Sequence, residues 1–212
     1  MKYKLVIFDF DGTLADSFPW FIQAVNNVAL KYNFKQIEAG EVEQLRGYNP
    51  LQIMQHLRIP MWKIPLIANH VRGLLAKNAA AITSFAGVDD LLSQLAQSGI
   101  TLALVTSNSY VNVRQVLGDK NLSYFKYIEC DVSLFGKRTR NRKVLKQSGT
   151  LPHEALYIGD ELRDLEAAAL EKIPFGAVAW GFATLEALQA RAPDEVFLKV
   201  EDIAAKLIQR LP

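Results

Sequence analysis

Leu5-Val6-Ile7-Phe8-Asp9-Phe10-Asp11-Gly12-Thr13 runs four large apolar residues into two aspartates and a glycine. Four consecutive apolar side chains that end abruptly at polar residues predict a strand buried on both faces, followed by a loop. The pattern recurs along the chain. Leu102–Val105 leads into Thr106-Ser107-Asn108, Ala155–Ile158 into Gly159-Asp160, and Phe175–Ala179 into Trp180-Gly181. Between these runs lie helical patterns over 88–97, 111–117, 138–147 and 161–171, and glycine or proline closes each one. Strands alternating with helices of this length predict an α/β fold, a doubly wound, Rossmann-like parallel sheet covered on both faces.

Residues 17–82 break the alternation. Helical patterns over 18–32, about 38–45, 50–56 and 61–77 follow one another with no strand between them. Four helices exceed what one crossover needs. They predict a helical cap domain over 17–82, inserted into a catalytic core formed by 1–16 plus 83–212. The 212 residues fit one large domain or a core with a smaller lobe.

Composition excludes several classes. Half the residues are hydrophobic and 22% are charged, which rules out a disordered or collagen-like chain. A formal charge of +2 provides no field for nucleic acid or an anionic membrane. The single cysteine, Cys130, has no partner for an internal disulfide. Lys2-Tyr3-Lys4 is followed by an apolar run too short for a secretory leader. The longest weakly polar stretch, about 13 residues from Ile173 to Leu185, is short of the roughly 20 that a membrane span needs. The expectation is a soluble, cytoplasmic protein, and no oligomeric state is implied.

In an open parallel sheet, ligands bind beyond the carboxyl ends of the strands. Four polar clusters sit at such ends or start the following helix: Asp9 with Asp11, Thr106 with Ser107 and Asn108, Asp160 with Asp164, and a basic run from Lys137. Carboxylates gathered at one point need a cation or protons to offset their repulsion. A hard dication with oxygen ligands fits, and Mg²⁺ takes one or two carboxylates together with a substrate phosphate. Carboxylate, hydroxyl and ammonium groups around Mg²⁺ supply nucleophile, acid/base, donor and charge clamp for phosphoryl transfer.

Asp9-Phe10-Asp11-Gly12-Thr13, Thr106, Lys137 and Gly159-Asp160-Glu161-Leu162-Arg163-Asp164 resemble, in order, the four signature motifs of the haloacid dehalogenase-like hydrolases. A helical cap after the first motif resembles the phosphoglycolate phosphatase-like branch. The resemblance implies a Mg²⁺-dependent phosphatase that acts on a small phosphorylated metabolite through an aspartyl-phosphate. Asp9 would be the nucleophile and Asp11 the acid and base, while Thr106 and Lys137 would hold the phosphoryl oxygens. Asp160 would ligate Mg²⁺ with Asp9 and the main-chain oxygen of Asp11, and Asp164 would act behind these ligands or through water. Gly12 and Thr13 would lie against the substrate. Arg46-Gly47-Tyr48-Asn49 either reaches over the site to an anionic substrate group or forms a surface turn between cap helices. Ser107 and Asn108 fit substrate contact and helix capping equally.

Departures from the family pattern keep alternatives open. Lys137, Arg138, Arg140, Arg142 and Lys143 place five cations in seven residues, so Lys143 rivals Lys137 as the phosphate-site lysine. Glu161 stands where relatives often carry a small hydroxyl residue. Ser17 and Phe21 stand where beta-phosphoglucomutase-like enzymes place Thr and His, which disfavours the alternative of a sugar-phosphate mutase. Asp11, in turn, departs from haloacid dehalogenases proper. An alternative of another class is a non-catalytic phospho-accepting or binding module, whose phosphorylated aspartate lies on a later strand. His56, His70 and His153 show no metal-ligand spacing, and Trp20, Trp62 and Trp180 read as packing residues.

Overall fold

In the computed structural model, which describes residues 2–48, 50–78, 81–133 and 136–208, the first apolar run forms strand β1 (Leu5–Phe8) at the centre of the sheet. It pairs in parallel with β2 (Thr101–Val105) on one side and β4 (Ala155–Gly159) on the other, Leu5 lying opposite both Thr101 and Ala155. Outside these lie β3 (Phe125–Glu129), β5 (Phe175–Val178) and β6 (Glu195–Phe197), giving the order β3-β2-β1-β4-β5-β6 with every pairing parallel. Strand order reverses at β1, so the crevice beyond the ends of β1 and β4 is the topological switch point.

Alternation along β1 explains why the run is apolar throughout. Val6 and Phe8 point into a cluster with Leu92 and Leu95 of helix α5 (Val88–Gln97) and Ile203 of α10 (Val200–Leu207). Leu5 and Ile7 point the other way, toward Val144 of α7 (Lys137–Ser148) and Ala168 of α8 (Leu162–Ala169). Side chains two apart share a face, so a strand between two helical layers must be apolar at every position.

Two strands were absent from the sequence expectation. Both are at sheet edges. β3 mixes buried Phe125 and Glu129 with exposed Lys126, and β6 is three residues long. Neither carries the continuous apolar run that marks a central strand. Helix α6 (Tyr110–Leu122) continues past its expected end, because Gly118 (φ 73°, ψ 165°) interrupts it and one further turn follows. Helix α9 (Leu185–Gln189) and α10 lie beyond the expected elements.

Among the described residues between β1 and α5 lie four α-helices: α1 (Phe18–Tyr32), α2 (Val42–Arg46), α3 (Pro50–His56) and α4 (Ile64–Asn78). Short 3₁₀ turns at Ala39–Glu41 and Met61–Lys63 precede α2 and α4. Val25, Ile37, Leu45 and Leu57 give this insert its own apolar cluster. The outgoing and returning passages lie side by side. Asp16 N–H donates to Thr83 C=O at 2.9 Å, and Phe85 N–H donates to Leu14 C=O at 3.0 Å. Among the described residues no helix is long and apolar enough to cross a membrane.

Candidate active site

Beyond Phe8 the chain turns sharply, with Thr13, Leu14 and Ala15 all donating their N–H groups to the carbonyl of Phe10. Gly12 occupies this turn at φ +76°, and a Cβ there would lie 2.2 Å from Asp160 Oδ2. Only glycine both adopts this conformation easily and leaves room for that carboxylate. Asp9 is buried at the strand end, its N–H donating to Ile158 C=O at 2.9 Å. Asp11 lines the cleft instead, and Asn108 Nδ2 donates to both of its carboxylate oxygens, at 3.3 and 3.2 Å.

Asp160 follows β4 and is fully buried. The Thr13 hydroxyl donates to its Oδ1 at 2.7 Å, and the Phe182 N–H donates to its Oδ2 at 2.7 Å. Thr13 was expected against the substrate; its buried hydroxyl orients Asp160. Neither Gly181 nor Phe182 was expected at the site. A Cβ on Gly181 would lie 2.1 Å from Asp160 Cβ, so the loop after β5 can approach only as glycine. Asp164, one helical turn further on in α8, has its Oδ1 2.5 Å from Lys137 Nζ, while its buried Oδ2 has no hydrogen-bond partner.

Lys137 opens α7 and points inward. Its Nζ lies between Asp9 Oδ2 at 2.8 Å and Asp164 Oδ1 at 2.5 Å. The rival Lys143 pairs with Glu129 at 2.6 Å on the surface, where Arg140 meets the same carboxylate. Arg138 and Arg142 pair with Glu171. Four members of the basic run thus pair with two largely buried glutamates, and one is turned into the carboxylate cluster.

Thr106 follows β2, fully buried, its Oγ1 accepting from Asn108 N–H at 3.0 Å. Capping of α6 falls to Ser109, whose Oγ accepts from Asn112 N–H. That leaves Ser107 and Asn108 lining the cleft, with Asn108 Oδ1 held by the Asn112 amide at 2.8 Å. Arg46 also lines the cleft. Its three nitrogens donate to Glu43, the Gly181 carbonyl and the Phe182 carbonyl, which ties the helical insert to the loop that holds Asp160. Gly47 ends α2, its N–H donating to Gln44 C=O, and Asn49 lies outside the described residues.

Asp9, Asp160 and Asp164 each offer an oxygen, all within 4.8 Å of one another. Three buried carboxylates face one ammonium, so negative charge is in excess. Burial and neighbouring carboxylates raise Asp160 well above the usual range and push Asp164 up to about 8. Asp11 is pushed up to about 6 by desolvation and by the charge of Asp9. Burial works against the charge of Lys137, yet Asp164 and Asp9 together hold its pKa above the ordinary lysine value. An all-oxygen cluster with excess negative charge and one unpartnered buried oxygen fits a hard divalent cation.

The sequence model of the family described as haloacid dehalogenase-like hydrolase matches residues 6–178. A phosphoglycolate phosphatase of Synechococcus elongatus is 31% identical over 207 residues, covering 97% of this chain and 98% of its own. A 5'-nucleotidase of Pseudomonas aeruginosa is 26% identical over 204 residues, covering 91% of this chain and 90% of its own. A solved haloacid dehalogenase-like family hydrolase of Streptococcus pneumoniae superposes with a TM-score of 0.80 at 23% identity, covering 97% of this chain and 98% of that one. With a match of this extent and a six-stranded parallel sheet carrying a four-helix insert after β1, the chain belongs to the haloacid dehalogenase-like hydrolase family.

Proposed function

We propose that this phosphoric monoester hydrolase cleaves the phosphate ester of a small metabolite by passing the phosphoryl group first to Asp9 and then to water. The observation that carries this reading is the Lys137 ammonium lodged between Asp9 and Asp164, beside the three-carboxylate cluster. Asp9 and Asp160 would hold Mg²⁺ together with the main-chain oxygen of Asp11 that the family resemblance implies, with Asp164 behind them or acting through water. When bound, the ion offsets the negative charge of the cluster and of the phosphoryl oxygens.

A carboxylate oxygen of Asp9 attacks phosphorus as the ester P–O bond breaks, and the Asp11 carboxyl gives its proton to the departing alkoxide. Asp11 then takes a proton from the water that attacks the phosphorus of the aspartyl-phosphate, releasing inorganic phosphate and restoring Asp9. The Asn108 amide fixes the Asp11 carboxyl for both transfers. A pKa near 6 suits a group that must give and take a proton near neutrality. Lys137 and Thr106 hold the transferring oxygens. A malachite-green assay of phosphorylated metabolites tests the reading. Phosphate release with Mg²⁺ that stops on adding EDTA supports it, and release undiminished by EDTA refutes the metal requirement.

Asp11→Asn removes the proton donor and leaves the nucleophile. Turnover of alkyl phosphates is expected to fall about 10²–10⁴-fold, and that of p-nitrophenyl phosphate, whose leaving group needs little protonation, much less. Equal losses for both substrates would count against the acid role.

The raised carboxyls also make stability depend on pH and metal. In the metal-free fold Asp160 and Asp164 retain protons that the unfolded chain releases above about pH 4. The folded state therefore binds more protons over this range, and stability contributed by these groups falls as pH rises from about 4 toward 8. In EDTA the Tm is expected to be lower at pH 8 than at pH 5.5. Added Mg²⁺, which competes with those protons, should raise Tm more at pH 8. Scanning calorimetry at the two pH values decides it, and a Mg²⁺ shift larger at pH 5.5 contradicts the cluster as described.

A further inference from the structure

A cavity of about 510 Å³ opens from the cleft at Asp11 and Asn108 and extends into the helical insert. That volume lies within the range of small-molecule sites, roughly 300–1,000 Å³. Beyond its mouth the walls are mostly carbon, including Phe21, Phe34, Ile53, Met54 and Ile67. Val25, Leu45 and Leu57 of the insert's own apolar cluster line it as well, so the space opens within that cluster rather than at a polar interface.

Its charges decide what can enter. Among the described lining residues the cations are Arg46 and Arg163, and each already faces a carboxylate, Glu43 and Glu161 respectively. The other two Arg46 nitrogens are taken by carbonyls of the loop after β5. Asp11, Asp131 and Glu161 add negative charge to the lining. Among the described residues an anionic leaving group such as glycolate would lie beside these carboxylates with both lining cations already paired. An apolar alcohol would meet matching walls.

We propose that the helical insert selects phosphate monoesters whose alcohol carries a sizeable apolar group, alkyl or aromatic, and disfavours small anionic alcohols. The proposal rests on the phosphatase reading above and departs from the substrate in the Synechococcus relative's name. The phosphoryl group sits at Asp9 and Lys137, and the alcohol's carbon skeleton passes Asp11 into the cavity. Asp11 is then positioned to protonate the ester oxygen at the boundary between the two compartments.

The test is kcat/KM for methyl, butyl and hexyl phosphate and for 2-phosphoglycolate, with Mg²⁺. The three alkyl alcohols have similar acidity, so leaving-group chemistry is held nearly constant while apolar area grows. Each buried methylene is expected to raise kcat/KM about fourfold, so that hexyl, with five more, exceeds methyl phosphate by about three orders of magnitude. Phosphoglycolate is expected to fall at or below methyl phosphate. Ala68→Phe fills the cavity from an exposed position of α4. It should lower the ratio of kcat/KM for hexyl over methyl phosphate at least tenfold. A flat alkyl series, phosphoglycolate above hexyl phosphate, or an Ala68→Phe enzyme that keeps its chain-length preference overturns the proposal while the phosphatase reading stands. No phosphate from any of these esters or from p-nitrophenyl phosphate overturns both.

Discussion

Asp9→Asn is expected to lower kcat by about 10⁴–10⁶-fold, because an amide cannot supply the attacking carboxylate oxygen. The same change should leave the fold intact and raise the Tm of the metal-free protein. Asp9 is one of three buried carboxylates facing a single ammonium, and its charge contributes to the upward shifts of both Asp160 and Asp164. Neutralising it removes repulsion, and Lys137 keeps Asp164 as its partner. Activity lost together with stability gained is the signature of a charge retained for function. Thermal unfolding in EDTA and turnover of p-nitrophenyl phosphate measure the two effects. A lower Tm in EDTA would mean that the cluster is not repulsive, and near-normal turnover would mean that Asp9 is not the nucleophile.

Lys137→Met should produce the opposite pattern, losing both. The ammonium is buried between two buried carboxylates, and removing it takes away the only ammonium among the described residues that is paired directly with both. Breaking such an arrangement typically costs about 3–5 kcal/mol. Protonation of Asp164 limits the loss at low pH, so the destabilisation should grow as pH rises. On the proposed mechanism, in which Lys137 would hold the transferring oxygens, its loss should also lower kcat about 10²–10³-fold. Lys143→Met gives the control. Lys143 is half-exposed and its largely buried partner Glu129 keeps Arg140, so the loss is expected to be about 1 kcal/mol, well below that for Lys137. Urea denaturation of the two variants at pH 6 and 8 separates them, and equal effects would contradict the inward placement of Lys137.

That placement shows which parts of the site the sequence could reveal. The strand-end aspartates were legible because β1, β2 and β4 are buried on both faces and therefore read as unbroken apolar runs. Edge strands β3 and β6 lack that burial and left no comparable mark. The choice between Lys137 and Lys143 was legible in the helical phase of α7. Lys137 shares a buried stripe with Asn141, Val144 and Leu145, spaced by three and four residues, while Lys143 falls off it.

The groups that orient Asp160 were not legible. Thr13 comes from 147 residues earlier in the chain and Phe182 from 22 residues later, and only the folded sheet brings them together. Gly181 has a local sequence role as the close of an apolar run, which hid its contact with Asp160. The void inside the helical insert was also beyond reach. Periodicity shows which helix faces are apolar, but not whether those faces meet or leave space between them.

Borohydride trapping tests the central claim most directly. An acyl phosphate formed during turnover is reduced to the alcohol, so an aspartyl-phosphate becomes homoserine, which peptide mass spectrometry can place. Quenching the enzyme with borohydride during turnover of p-nitrophenyl phosphate should yield homoserine at position 9 and at none of positions 11, 160 or 164. Homoserine at another aspartate, or its absence while phosphate is being released, would contradict Asp9 as the residue that carries the phosphoryl group.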